Sequence, residues 1–191
     1  MWKSLQWILV FFVSSGCAYH LRGNTREFFD NHQIHSIFVT PVKNNSYKAG
    51  VEITLYNALR KRIAQGGYVR IVDRAEDADA QINASVQEAG YATYANTSAD
   101  QISPIGLGPN TVYVASLYEA RLKVRFELQD HLQKSLWADE LLRSKRFAAS
   151  TYFGAAGSTS ALINESEFER TLYDLSVSIV TDAEESINTL F

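Results

Sequence analysis

Residues 121–128 read Arg-Leu-Lys-Val-Arg-Phe-Glu-Leu: Leu122, Val124, Phe126 and Leu128 fall on one side, and Arg121, Lys123, Arg125 and Glu127 on the other. A period of two is the geometry of an extended strand. An apolar face opposite a charged one puts that strand in a sheet with one side buried and one side wet. Residues 78–87 (ADAQINASVQ) repeat the pattern, with Ala78, Ala80, Ile82, Ala84 and Val86 facing one way and Asp79, Gln81, Asn83, Ser85 and Gln87 the other.

The buried side of such a sheet needs a cover, and two amphipathic helices supply it. Val51, Leu55, Leu59 and Ile63 recur at every fourth position, and Gly66-Gly67 closes that helix. Near the C-terminus Phe168, Leu172, Leu175, Ile179, Ala183 and Ile187 form a second stripe. Asn164 or Ser166 is its N-cap, and Glu165, Glu167 and Glu169 stand in its first turns, where the helix dipole favours acids.

Further strands are expected at 34–42 (IHSIFVTPV), 68–72 (YVRIV) and 135–147, the last with less tidy alternation. The resulting order, β-α-β-β-β-β-α, opens with a β-α-β unit that calls for a parallel pair and continues as a meander. The fold class is α+β: a two-layer sandwich with both helices on one face of a mixed four- to five-stranded sheet. Because meander strands reverse direction, the small-residue loops at 96–110 and 148–161 should leave the sheet at the same end. Loops of that length are functional or disordered.

With 191 residues, 46% hydrophobic and 20% charged, the chain is one globular domain and neither a disordered tail nor a multi-domain enzyme. A net charge of −3 gives no support to nucleic-acid binding. The charge is segregated, nine basic and four acidic groups over 17–74 against one and seven over 150–191, which points to partner recognition.

The single cysteine, Cys17, excludes a disulfide framework and a cysteine-rich metal site. Residues 1–16 (MWKSLQWILVFFVSSG) have a basic start, a nine-residue apolar run and small residues at the end, the plan of a signal peptide. The apolar run spans about 14 Å as a helix, half of a bilayer core. Small residues before Cys17 resemble the lipobox of bacterial lipoproteins, although Ser14 stands where leucine is usual. That resemblance implies lipidation of Cys17 and lasting membrane attachment. Ala18 in the next position, rather than aspartate, favours the outer membrane by similarity to enteric lipoproteins. The chain thus divides into a signal peptide at 1–16, a lipidated tether at 17–34, where no clear period is seen, and one α+β domain at 35–191.

No catalytic constellation, cofactor motif or metal-ligand spacing is visible. His20, His32, His35 and His131 read as solvated loop residues, and Gly106-Leu107-Gly108-Pro109 as a turn. A sharper signal is the row Arg121, Lys123 and Arg125, whose side chains stand about 6.5–7 Å apart on one face. Three cations at that spacing suit a ligand with several anionic groups, such as a bis-phosphorylated lipid. The plainer reading pairs them with cross-strand acids, Glu127 and Asp79 being available.

Past the cysteine the chain runs Ala18-Tyr19-His20-Leu21-Arg22-Gly23, a strand with Pro41, Asn44-Asn45-Ser46-Tyr47, the helix EITLYNALRKRI, Val69-Arg70-Ile71-Val72-Asp73 and Ala78-Asp79-Ala80. This series resembles the LPS-assembly lipoprotein LptE family over the first half of the mature chain; beyond it, only element order and length agree. The resemblance implies a non-enzymatic outer-membrane lipoprotein on the periplasmic side. Such a protein plugs and partners the LptD β-barrel and assists transport of lipopolysaccharide to the outer leaflet. The loops at 96–110 and 148–161 would enter the lumen, and Arg121, Lys123 and Arg125 would meet lipid A phosphates. The strand, Asn-Asn-Ser turn, helix and Val-Asp-Arg segment are also similar to periplasmic domains of the CsgG or LpoB type, which serve secretion or activate cell-wall synthases.

Overall fold

The computed structural model describes residues 25–98, 113–153 and 159–189. In chain order these form α1 (Thr25–Asn31), β1 (Ser36–Val39), β2 (Lys43–Asn44), α2 (Val51–Gly66) and β3 (Arg70–Val72). The long strands β4 (Ala80–Ser98), β5 (Tyr113–Asp130) and β6 (Ser135–Ala148) follow, then a hairpin of β7 (Ser150–Phe153) and β8 (Thr159–Leu162), and finally α3 (Glu165–Asn188).

The main sheet has six strands in the order β3-β1-β4-β5-β6, with β2 beside β4. β1 lies parallel to both β3 and β4, while β4, β5 and β6 form the antiparallel meander. Both long helices cover one face, as the two-layer reading requires. Ala120, Leu122, Val124 and Phe126 on β5 have no solvent exposure, and Leu128 has 1%. Val51, Leu55 and Leu59 of α2 and Phe168, Leu172, Leu175, Ile179, Val180, Ala183 and Ile187 of α3 close over them. Each fully buried Leu, Ile or Phe contributes about 1.5–3 kcal/mol, so this row outweighs any polar contact in the molecule.

Local chemistry sets the helix ends. The Asn164 side chain accepts a hydrogen bond from the backbone N–H of Glu167 at 3.2 Å, which makes Asn164 and not Ser166 the N-cap of α3. Gly67 ends α2 at φ +66°, a left-handed conformation suited to glycine, and its N–H reaches Ile63 O at 3.3 Å.

The uneven alternation of β6 has a structural cause. Trp137, Asp139, Leu141, Arg143, Lys145 and Phe147 point to the helix side at the sheet margin, beneath α3. There Arg143 binds the Asp182 carboxylate with two nitrogens, Lys145 meets Asp174 at 2.6 Å, and Ser186 donates to Asp139 at 2.6 Å. Apolar and charged side chains therefore share that face.

Two segments differ from the sequence expectation. Residues 25–31, within the stretch read as lacking a period, are helical, and Phe28 (1% exposed) and Phe29 (7%) join the core. Thr25 Oγ1 donates to Asn188 Oδ1 at 2.6 Å, which ties α1 to the last turn of α3. The stretch expected as a loop at 148–161 contains the β7–β8 hairpin, with residues 154–158 outside those described.

Asp79 joins β1 to the head of β4. Its Oδ2 accepts from the backbone N–H of His35 (2.9 Å) and Ser36 (2.8 Å) and from the Ser36 hydroxyl (2.8 Å). The His35 N–H, and then the Ser36 hydroxyl, hold its carboxyl below the usual range. A depressed folded value stabilises the native state above the unfolded value, and the contribution is lost as pH falls through the folded one. Asp79→Asn is thus expected to unfold at lower denaturant at neutral pH, the gap to the parent closing as pH drops below about 4. Phe28→Ala should cost about 3–5 kcal/mol in urea unfolding, the value for a core aromatic and not for a tether residue.

Candidate functional site

β1 and β2 pair with β4 only as far as Val86, yet β4 continues to Ser98. Residues 88–98 of β4 and 113–123 of β5 therefore run on as an arm roughly 30 Å long, with 142–148 of β6 added as a third strand along 117–123. The strand ends meet as expected: Ser98 pairs with Tyr113, and Leu117 with Ala148, so the 98–113 connection and the exit from β6 share one end. Of the loop expected at 96–110, residues 96–98 are strand and the remainder lies outside the described residues, Gly106-Leu107-Gly108-Pro109 included.

The base of the arm is stiffened by aromatic rings. Tyr91 makes edge contacts with Tyr118, Phe147 and Phe168 at centroid distances of 5.6, 6.4 and 5.0 Å, and Tyr118 stacks on Phe147 at 5.6 Å. Lys48 lies 5.2 Å over the Phe168 ring and pairs with Glu165 (2.6 Å) and Glu169. Its hydrogen bonds to those carboxylates, Glu165 first, push the ammonium above its ordinary value. α1 sits at the opposite end of the sheet, since α3 reaches Trp137 near the start of β6 through Ser186 (3.4 Å) and Thr25 through Asn188.

The wet face carries the sequence-derived row. Arg121, Lys123 and Arg125 do lie on one side of β5, but their partners are not the two acids expected. Arg121 donates from Nε (2.9 Å) and Nη2 (2.7 Å) to Glu119, and Lys123 pairs with Glu140 on β6 at 2.6 Å. Asp79 is engaged with β1, and Glu127 makes no ion pair among the described residues. Hydrogen bonding to Arg121, the largest effect, draws the Glu119 carboxyl below its ordinary range. Arg125 has no carboxylate within ion-pair distance among the described residues.

Sequence reasoning passed over Arg146 and Lys43. The Arg146 guanidinium stacks 3.7 Å over the Tyr94 ring, and Lys43 stands opposite Ser85. Parity with the wet face was the available signal for Arg146: it pairs with Glu119 across β5–β6. Among the histidines, His32 Nδ1 contacts Phe28 O at 2.9 Å, and His131 lies exposed in the β5–β6 turn. His20 and Cys17 lie outside the described residues. Arg121→Gln is expected to leave the thermal unfolding midpoint unchanged, because exposed ion pairs contribute little to stability.

Comparison with known proteins adds the following. Residues 34–184 match the model of a family described as LptE, Lipopolysaccharide-assembly, so the match runs well past the half of the chain whose motifs carry the resemblance. No curated protein matches the chain. Among solved structures, it is similar to a PelC dodecamer from Paraburkholderia phytofirmans, at 14% identity over 80% of this chain and 88% of that chain (TM-score 0.49). It is also similar to uncharacterized lipoprotein B from Nitrosomonas europaea, at 16% identity over 82% and 84% (TM-score 0.47). A third is the rare lipoprotein B from Shewanella oneidensis, at 15% identity over 78% and 94% (TM-score 0.42).

Proposed function

Because the chain belongs to the LptE lipopolysaccharide-assembly family, we propose that it is an outer-membrane lipoprotein, acylated at Cys17, that plugs and partners an LptD-type β-barrel. Together the two deliver lipopolysaccharide to the outer leaflet. The observation that carries this reading is the extent of the family match, which takes in the whole sheet and nearly all of α3.

The geometry supports it in three respects. Thr25 stands eight positions after Cys17, a reach of at most roughly 27 Å, so an acylated Cys17 keeps α1 and the adjoining end of the sheet close to the membrane. The arm is the part that enters the barrel lumen, since it lies at the other end of the long strands and is free of β1–β3. The face with Arg121, Lys123 and Arg125 meets the lipid A phosphates. The pairs Arg121–Glu119 and Lys123–Glu140 are partly exposed and so contribute little, and phosphate groups exchange for them at small cost. The work is binding and scaffolding rather than catalysis.

Cys17→Ser should yield a soluble protein whose mass shows no acyl chains; membrane association that survives this change would remove the anchor. Affinity purification of the wild-type protein from membranes should recover a large β-barrel. Recovery of a cell-wall synthase or a self-assembled ring in its place would overturn the partnership. Replacing Arg121, Lys123 and Arg125 together by Ser is expected to weaken lipopolysaccharide binding while barrel recovery stays at the wild-type level.

A further inference from the structure

The solvent side of a helix that covers a sheet is ordinarily polar or charged. α3 departs from this: its outward stripe is Tyr173 (50% exposed), Val177 (43%) and Thr181, at every fourth position. Beside it on α2 stand Ile53 (62% exposed), Asn57 and Lys61, and the fully exposed Tyr47 precedes that helix. Tyr47, Ile53, Tyr173 and Val177 make up half of the large apolar side chains left exposed among the described residues. Tyr173 and Val177 line a groove of about 450 Å³ between the two helices, together with Asn57, Ala58, Lys61 and Thr181. We propose that this face docks on the same face of a second copy of the chain, in a twofold dimer that leaves the arm and the wet side of the sheet uncovered.

A contiguous apolar patch rimmed by polar groups is the mark of an interaction surface. α3 is 24 residues long and α2 16. Two such helices side by side present roughly 600 Å² per copy, about 1,200 Å² in all, the size at which specific interfaces begin.

Two copies tethered to one membrane must turn their α1 ends the same way. The twofold axis then runs along the helices and sets α2 of one copy against α3 of the other. This orientation, though not the choice of face, rests on the acylated Cys17 proposed above. Lys48 meets Glu165 and Glu169 at one end of the helix pair, and Arg62 meets Glu184 at the other. α2 and α3 therefore run in the same direction, with Ile53, Asn57 and Lys61 level with Tyr173, Val177 and Thr181.

Across the axis, Ile53 packs on Tyr173 of the second copy and Asn57 on its Val177. Lys61 passes Thr181 and reaches toward Glu185 one turn beyond. Arg170 meets the exposed ring of Tyr47, a cation–π pairing. Lys61 and Arg170 make no ion pair among the described residues, whereas Glu169, Asp174 and Glu184 are held by Lys48, Lys145 and Arg62 of their own copy. A bilayer of anionic lipid fits less well, because the carboxylates of Glu169, Asp174 and Glu185 lie along the same helix. A second copy supplies both an acid for Lys61 and an aromatic face for Arg170.

The test uses the full chain carrying Cys17→Ser, which has no other thiol. Sedimentation should show a monomer–dimer equilibrium with a Kd on the order of 10 μM, modest for an interface of this size. Val177→Asp should weaken it roughly 100-fold, with the unfolding midpoint kept as evidence of folding. Oxidative cross-linking reads the arrangement: Asn57→Cys mixed with Val177→Cys should give a disulfide-linked dimer, and neither alone should. A monomer throughout the micromolar range, or a dimer that Val177→Asp leaves intact, overturns the proposal. Val177→Cys linked to itself overturns the parallel arrangement. Two further measurements address other occupants. Flotation of the Cys17→Ser protein with phosphatidylethanolamine–phosphatidylglycerol vesicles, abolished by Val177→Asp, would give the face to the bilayer. Loss of barrel recovery by the acylated protein with Val177→Asp would give it to the barrel; either result overturns the dimer. Membrane attachment of the acylated parent is measured alongside, so failure of the anchor and failure of the dimer are read out separately.

Discussion

One row of side chains on β5, from Tyr118 to Leu128, is where both layers of the molecule meet. Its alternate members are almost wholly withdrawn from water, and β4, β6, α2 and α3 all contribute to the enclosure. Because the side-chain period of a strand is two, a slip of one residue would turn Arg121, Lys123 and Arg125 into this interior. The hydrophobic row thereby fixes which face stays wet. It also fixes the strand registers that set Lys43 beside Ser85 and Arg125, and Tyr91 beside Phe147 and Phe168. The polar chemistry of one side is a product of apolar burial on the other.

The segregated charge of the sequence is resolved largely inside the fold. The acidic helix α3 receives Lys48 at Glu165 and Glu169, Lys145 at Asp174, Arg143 at Asp182 and Arg62 at Glu184. These contacts run along its length, from β2's neighbourhood to α2 and the sheet margin. Exposed pairs of this kind add little stability individually. Their consistency still biases α3 toward one placement over the sheet, with carboxylates on the basic side of each neighbour.

Much of the architecture was legible in the sequence, because periodicity reports burial directly. The alternation at 78–87 and 121–128 and the four-residue stripes at 51–63 and 168–187 became the sheet and its two covering helices. Elements without a one-sided environment were harder to read. Residues 91–94 are exposed on both sides of the strand, so no apolar period marks the continuation of β4 past Ala89. α1 is under two turns long, and its buried residues Phe28 and Phe29 are adjacent, which no period describes. The site was legible by halves. Parity gave the row on β5, but Lys43 is 82 positions away from Arg125 and reaches it only through the parallel pairing of β2 with β4. Glu119 and Glu140 were likewise hidden as partners until register was known.

The hydrogen bond between Thr25 and Asn188 brings the first and last helices together at one end of the sheet. Any pull transmitted along the chain from its amino-terminal side therefore enters at α1 and is shared with the terminal turn of α3 and the rings of Phe28 and Phe29. The two terminal helices are thereby joined at the end of the sheet opposite the aromatic base of the arm.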